Sequence, residues 1–406
     1  MSGRFLRLLG SLAVLAGTGL AGTGLAGTGA AAPAPEAAAT AMCRPPPVRS
    51  EPAVPWAQQL LAPERTWSTT RGAGVAVAVV DTGVDATTPQ LAGAVAPGVD
   101  TSGTATGAAD TDCLGHGTFV AGIIAARPVA GTGFAGVAPA ATILPIRDTT
   151  TEDHGSATSM ARGIRAAADA GAQVINVSAS TNSDDPALRA AVVHAQQRDC
   201  LMVAAAANNA ERGNPTPYPA SYPGVLAVGA IDHTGVPAKF SQTGGFLGLV
   251  APGVDVVSTG PGGPGQWQQS GTSFATPFVS GAAALVRSYR PELSAAEVAE
   301  RLEATATRPA APVPDPAMGW GTVNPYAAVT AVLSGDRERG RSRGEPPAAA
   351  ADRPAERPGT ARVVLLCATG TGGLVCLAVI GAAISPAAGR RWRRRRTTVV
   401  DSAEDP

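Results

Sequence analysis

Short apolar runs recur along the middle of the chain, each too short to span a membrane and too continuous for a strand with one wet face. Gly74–Val80 reads GVAVAVV, and Ile143–Ile146, Val174–Val177, Leu201–Ala206 and Val225–Val228 follow the same pattern. Such runs predict strands buried on both faces of a parallel sheet, because helices cover both sides of it. Stretches with helical spacing fall between them, at about 116–126, 156–170 and 186–197, and Gly171 offers the second a left-handed stop. Phe274–Tyr289 predicts a long helix of small residues, and Ser294-Ala-Ala-Glu297 is a capping box that opens a short one. Strands alternating with helices predict an α/β domain with a mostly parallel central sheet over residues 57–333. Ligands in such sheets bind beyond the carboxyl ends of the strands, so chemistry is expected there.

Outside that interval the pattern changes. Residues 1–32 read as an export signal: Arg4 and Arg7 precede an apolar stretch, and Ala30-Ala31-Ala32 offers a cleavage site. A retained N-terminal anchor is the alternative. Residues 33–56 are rich in Pro and Ala and predict an extended N-terminal extension. Residues 334–362, rich in Arg, Pro, Glu and Ala, predict a flexible linker. Residues 363–384 carry no charge over 22 positions, enough to cross a hydrocarbon layer of roughly 30 Å. The basic tail 385–406 follows, with Arg390-Arg391-Trp392-Arg393-Arg394-Arg395-Arg396. Positive flanks stay on the cytoplasmic side, so the tail is expected in the cytoplasm and the domain outside the cell membrane. A buried helix with a basic tail is the competing reading of this end.

Composition narrows the function classes. Net charge is +0, which gives no global electrostatic case for nucleic acid. Hydrophobic residues make up 45% but aromatics only 4%, as suits close-packed strands and helices of Ala and Val. Of the five cysteines, Cys367 and Cys376 lie in the apolar 363–384 segment, leaving Cys43, Cys113 and Cys200, so one of these is free or paired outside the chain. No Cys-x-x-Cys pair or His/Cys cluster points to zinc, and no metal or cofactor is expected.

Three peptides carry candidate chemistry. Val79-Val80-Asp81-Thr82-Gly83 ends a buried run with an aspartate that is held rigidly and partly desolvated. Alone it is weak, since aspartic proteases and simple turns use the same letters. Gly115-His116-Gly117-Thr118 places a histidine at a helix start, and an imidazole with an ordinary pKa of about 6.5 suits a general base. His154, His194 and His233 lack such a glycine frame and are expected at the surface. Ser270-Gly271-Thr272-Ser273 brings a serine to the entrance of the long helix, where free N–H groups and the dipole favour an oxyanion. No lysine follows, which argues against a phosphate-binding loop. The order Asp81…His116…Ser273 in an α/β chain is that of subtilisin-type proteases, whereas α/β-hydrolases place the serine first. Asn208, at the end of the run Val203–Ala207, is expected to donate to the oxyanion beside the Ser273 N–H; capping a turn is its alternative role.

DTGVD, GHGTFVAG and SGTSFATP resemble the three signature blocks of the subtilase family, and Val250-Ala-Pro-Gly253 and Gly319-Trp-Gly-Thr-Val-Asn324 extend the likeness. The order of segments, with Ile143-Leu-Pro-Ile-Arg147 and Ser273-Phe-Ala-Thr-Pro277, is similar to that of the mycosins, actinobacterial proteases tied to type VII secretion. The resemblance implies a subtilisin-like three-layer fold, a serine endopeptidase acting on protein or peptide substrates, and a type VII secretion membrane complex as partner. It also implies that the extension wraps the domain and is fixed by a Cys43–Cys113 disulfide. The family's substrate-binding Ser-Leu-Gly strand reads Ser178-Ala179-Ser180 here, and Ala207 stands where the family has Gly before its oxyanion asparagine. Cys200 has no evident partner. The sequon Asn176-Val177-Ser178 is read as a strand end, and residues 43–66 are too few for a separately folding pro-domain. Two other readings are a scaffold subunit of the secretion channel with dispensable catalysis, and a tethered general exoprotease.

Overall fold

The computed structural model describes residues 43–103, 107–151, 156–334 and 336. Each apolar run forms a strand: β1 (Ala76–Asp81), β3 (Thr142–Arg147), β4 (Val174–Val177), β5 (Leu201–Ala205) and β6 (Leu226–Ile231). With β2 (Val99–Asp100) and β7 (Leu247–Pro252) they build one seven-stranded sheet in the order β2-β3-β1-β4-β5-β6-β7, every neighbouring pair parallel. A separate antiparallel hairpin joins β8 (Val256–Thr259) to β9 (Gln266–Gln269). No apolar run predicts β7 to β9, since Gly248 and Pro252 interrupt the first and β9 reads Gln-Trp-Gln-Gln.

Seven helices complete the described fold: α1 (Trp56–Leu61), α2 (His116–Ala125), α3 (Ala157–Asp169), α4 (Pro186–Gln197), α5 (Thr272–Tyr289), α6 (Ala295–Ala304) and α7 (Pro325–Thr330). Side chains alternate across β1, so Val77 and Val79 join one core with α2 and α5, while Ala78 and Val80 join a second core with α3 and α4. The result is three layers, helix, sheet and helix. Ser156 and Ser294 cap α3 and α6 in reciprocal capping boxes, and Gly171 follows α3 at φ +81°. Helix α5 is buried from Thr272 to Arg287 and so depends on small residues such as Gly281 and Ala282–Ala284 to lie against both β4–β7 and α2.

Strand β1 ends on Asp81, as the sequence pattern predicts, and pairs it with Arg147 on β3. One boundary differs in a way that matters. Helix α5 starts at Thr272, two residues early, which puts Ser273 inside the first turn.

The chain divides into two units, Met1–Ala331 and Val332–Pro406. In the second only 332–334 and 336 are described, where the Leu333 N–H donates to the Asp336 carboxylate at 3.1 Å. Among the described residues no helix is long and apolar enough to cross a membrane. The expected signal segment 1–32, the span 363–384 and the tail 385–406 lie outside the described residues, as do most of the linker and His154.

Candidate active site

The strand order turns at β1, which has β3 on one side and β4 on the other. A crevice beyond the carboxyl ends of the strands belongs at such a switch point. Asp81 ends β1, Ser178 follows β4, and Asn208 lies three residues past β5, so three neighbouring strands converge there.

Asp81 and His116 are in contact. The imidazole Nδ1 lies 2.7 and 2.9 Å from the two Asp81 carboxylate oxygens, the aspartate being buried and the histidine partly so. This contact fixes Nδ1 as the protonated nitrogen and leaves Nε2 as the basic one. Burial by itself would lower the imidazole pKa, but the Asp81 charge and hydrogen bond outweigh it and raise it above its ordinary value.

The flanking glycines serve close approach rather than access. Gly115 sits at φ +81°, and an added Cβ would fall 2.4 Å from the Trp267 ring. At Gly117 a Cβ would fall 2.0 Å from the Gly83 carbonyl oxygen.

Asp112, which the motifs alone leave unnoticed, joins these two peptides. Its carboxylate accepts from the Thr82 hydroxyl (2.9 Å) and the Gly115 N–H (2.8 Å), and from the Thr118 N–H (2.9 Å) and hydroxyl (2.7 Å). Burial holds this carboxyl above the usual range despite its donors. The available signal was an acidic residue four positions ahead of the first helical residue.

Ser273 is 7% exposed, and Phe274 stacks obliquely on the His116 ring at 5.2 Å, which brings the serine to the histidine's side of the crevice. The Ser273 hydroxyl donates to the Ser178 carbonyl at 2.9 Å. The Ser178 hydroxyl in turn donates to the Ser273 carbonyl, also at 2.9 Å. Pro277 explains that second bond. It lacks the N–H that would close the helical bond onto the Ser273 carbonyl, and the Ser178 hydroxyl supplies the missing donor. Asn176 donates to the Ser178 hydroxyl and accepts from Ser280, which ties β4 to α5. The Ser178 side chain therefore turns inward; Ala179 is buried and Ser180 half-buried. Asn176 itself is fully buried within β4.

Asn208 is exposed, and its amide oxygen accepts from the Thr272 N–H and hydroxyl, both at 2.9 Å. With the oxygen held, the amide NH₂ is the end left to donate. Ala207 takes the φ +70° that glycine adopts freely, so the backbone keeps a glycine-like path and the methyl is buried.

Cys43 and Cys113 are paired, and the Arg44 N–H donates to the Cys113 carbonyl at 3.0 Å. The extension then runs along the domain, with the Pro47 and Arg49 carbonyls accepting from Gly265 and Gln266. Cys200 is buried and free, its thiol pushed up to about 11 by burial, which makes it a poor nucleophile. His194 pairs with Asp169 at 2.8 Å, and His233 is exposed, so neither approaches the crevice.

Comparison with known proteins agrees with this geometry. Residues 72–321 match the subtilase family. Mycosin-4 of Mycobacterium tuberculosis is 36% identical over 389 residues, covering 84% of this chain and 83% of that protein. Thermitase of Thermoactinomyces vulgaris is 38% identical over 280 residues, covering 67% of this chain and 94% of the relative. The crystal structure of MycP1 from Mycobacterium smegmatis superposes with a TM-score of 0.64 at 33% identity, over 72% of this chain and 89% of that one. A parallel α/β sheet with an aspartate and a histidine joined at its switch point, and mycosins among the relatives over most of the chain's length, lead to one conclusion: the chain belongs to the subtilase family, on its mycosin branch, and is a serine endopeptidase.

Proposed function

We propose that Asp81, His116 and Ser273 are the catalytic triad of a membrane-anchored endopeptidase that serves type VII secretion. The observation that carries the triad is the Nδ1 contact of His116 with both Asp81 oxygens, which aims Nε2 away from the aspartate. The Ser273 hydroxyl rotates from the Ser178 carbonyl to give its proton to His116 as its oxygen attacks the scissile carbonyl. The imidazolium is stabilised by Asp81 and returns the proton to the leaving amine. The oxyanion is met by the Ser273 N–H, which lies in the first helical turn where no intrahelical acceptor is available, and by the Asn208 amide. The backbone of Ser178, Ala179 and Ser180 lines the substrate's path, with the Ser178 side chain serving as a brace.

The domain boundaries we propose are those of the sequence pattern: signal peptide 1–32, extension 33–56 clamped by the Cys43–Cys113 disulfide, protease domain 57–333, linker 334–362, span 363–384 and cytoplasmic tail 385–406. This topology places the protease outside the cell membrane. The secretion role rests on relatives: one of solved structure, 35% identical, is the MycP3 protease from the type VII (ESX-3) secretion system.

A fluorophosphonate probe tests the chemistry. It should label the folded wild-type chain and leave Ser273→Ala unlabelled; equal labelling of both would sink the triad. The same variant, placed in a strain whose secretion depends on this gene, separates a protease from a scaffold. Rescue by Ser273→Ala would assign the secretion role to the fold rather than to catalysis.

A further inference from the structure

Behind the Asp81–His116 pair lies a carboxyl that the reaction as described leaves idle. Asp148 follows β3 directly, and its N–H donates to the Asp81 carbonyl at 2.9 Å, so the ends of the two strands are fastened together. Side-chain alternation separates it from its neighbour. Arg147 turns to one face of the sheet, where it pairs with Asp100 at 2.7 Å and donates to the Thr82 carbonyl and to Thr111. Asp148 turns to the other face, beneath α3, where a Cβ added to Gly163 would lie 3.3 Å from the Asp148 Cβ. The residue is 2% exposed, and among the described residues neither carboxyl oxygen has a hydrogen-bond partner.

An ionised carboxylate without a partner is costly in such a place, whereas the protonated acid is tolerated. Among the described residues the charged groups near enough to act on it belong to three elements, Asp81 of β1 and His116 of α2 across the strand ends, and Arg162 of α3 above it. Burial first, and the Asp81 charge second, hold the Asp148 carboxyl well above the usual carboxylate range. Packing gives no reason for an acid here, since a buried side chain without hydrogen-bond partners favours an apolar residue. Its position beside Asp81 does give one.

We propose that Asp148 is a positioning residue for the Asp81–His116 pair, setting how much negative charge lies behind the imidazole as it accepts the Ser273 proton. At low pH Asp148 is neutral and spares Asp81 a like-charged neighbour, so Asp81 stays ionised. As pH rises Asp148 loses its proton, and a second negative charge then favours the imidazolium formed during attack. The assignment rests on the triad proposed above.

The test is the pH dependence of kcat/KM for peptide hydrolysis by full-length wild type, Asp148→Asn and Asp148→Leu, neither of which can ionise at this position. The ratio of wild type to variant should be flat at low pH and climb roughly three- to tenfold through the Asp148 titration. A purely structural residue would change the ratio by the same factor at every pH, so a flat ratio overturns the proposal. Carbon-13 aspartate spectra of the Ser273→Ala chain, taken against pH, read the native residue and require neither variant to fold. The expected result is one buried aspartate titrating above the ordinary range that is missing from the Asp148→Asn spectrum. If the only high-titrating aspartate signals persist in the Asp148→Asn spectrum, as the Asp112 signal should, the proposal fails. Loss of the triad itself is read separately: activity surviving in Ser273→Ala would overturn that reading, whereas a flat ratio with normal Ser273-dependent turnover would overturn only the role of Asp148.

Discussion

In the proposed triad His116 is neutral before attack and charged during it, and its surroundings supply opposing influences on that balance. Burial disfavours the imidazolium, but the Asp81 charge and hydrogen bond more than offset this, so its pKa lies above the ordinary value of about 6.5. The acid limb of kcat/KM is therefore expected above that value. The sign for stability follows: a histidine raised on folding contributes stability in full below its unfolded pKa and loses it as pH rises through the folded pKa. Asp81→Asn removes the charge and the tautomer lock together. Fluorophosphonate labelling against pH should show the midpoint moving down, and turnover should fall on the order of 10⁴-fold. An unmoved midpoint would mean that Asp81 does not set the imidazole charge. Ala207 makes a different point at this scale. Its methyl departs from the family pattern, yet the backbone at φ +70° follows the glycine route, so the asparagine after it keeps its place.

Between elements, Asp112 joins the end of β1 to the start of α2. Through Thr82 on one side and Gly115 and Thr118 on the other, it fixes the loop after Asp81 against the helix that begins with His116. Asp112→Ala would strand several buried donors at once. Leaving such groups unpaired costs about 3 kcal/mol or more, a fall of roughly 6–10 °C in Tm for a domain of this size. Because the Asp81–His116 distance depends on that link, kcat should drop more than KM rises. Calorimetry and steady-state kinetics on the purified variant would check both, and a variant with wild-type Tm would remove Asp112 from this role. Ser178 and Pro277 are a comparable pair between β4 and α5. The proline leaves the Ser273 carbonyl without its helical donor, and the serine hydroxyl replaces it, which anchors the nucleophile's own peptide.

For the whole molecule the remaining question is attachment. The described domain ends near Ala331, and the uncharged stretch 363–384 with the arginine cluster after it reads as a span with its tail in the cytoplasm. Full-length chain expressed in an actinobacterial host should stay with membranes after alkaline carbonate washing. A chain ending at Arg362 should leave with the soluble fraction and keep its hydrolytic activity; membrane retention of the shortened form would refute the single C-terminal anchor.

Much of this architecture could be read before any coordinates. Buried parallel strands must be apolar on both faces, and unbroken runs such as Val174–Val177 therefore mark their positions directly. The Asp81, His116 and Ser273 peptides were equally legible, because glycine frames and a helix entrance leave local marks in a sequence. The proposed export signal and membrane span rest on local pattern alone, since both ends of the chain lie outside the described residues. Three things were decided only in three dimensions. Asp112 and Ser280 carry no motif, and the sequon at Asn176 says nothing of its buried partners, since a hydrogen-bond network between distant segments has no period along the chain. The inward turn of the Ser178 hydroxyl was not legible, because Pro277, about a hundred residues away, leaves the carbonyl that it serves. Asp148 drew no notice in the sequence; strand alternation and the cover of α3 bury it, and among the described residues its carboxyl has no hydrogen-bond partner. Sequence determines which segments can be core and which residues have reactive chemistry, since both follow from local composition. Which polar groups meet, and which are left alone, depends on the sheet order that brings β1, β3 and β4 side by side.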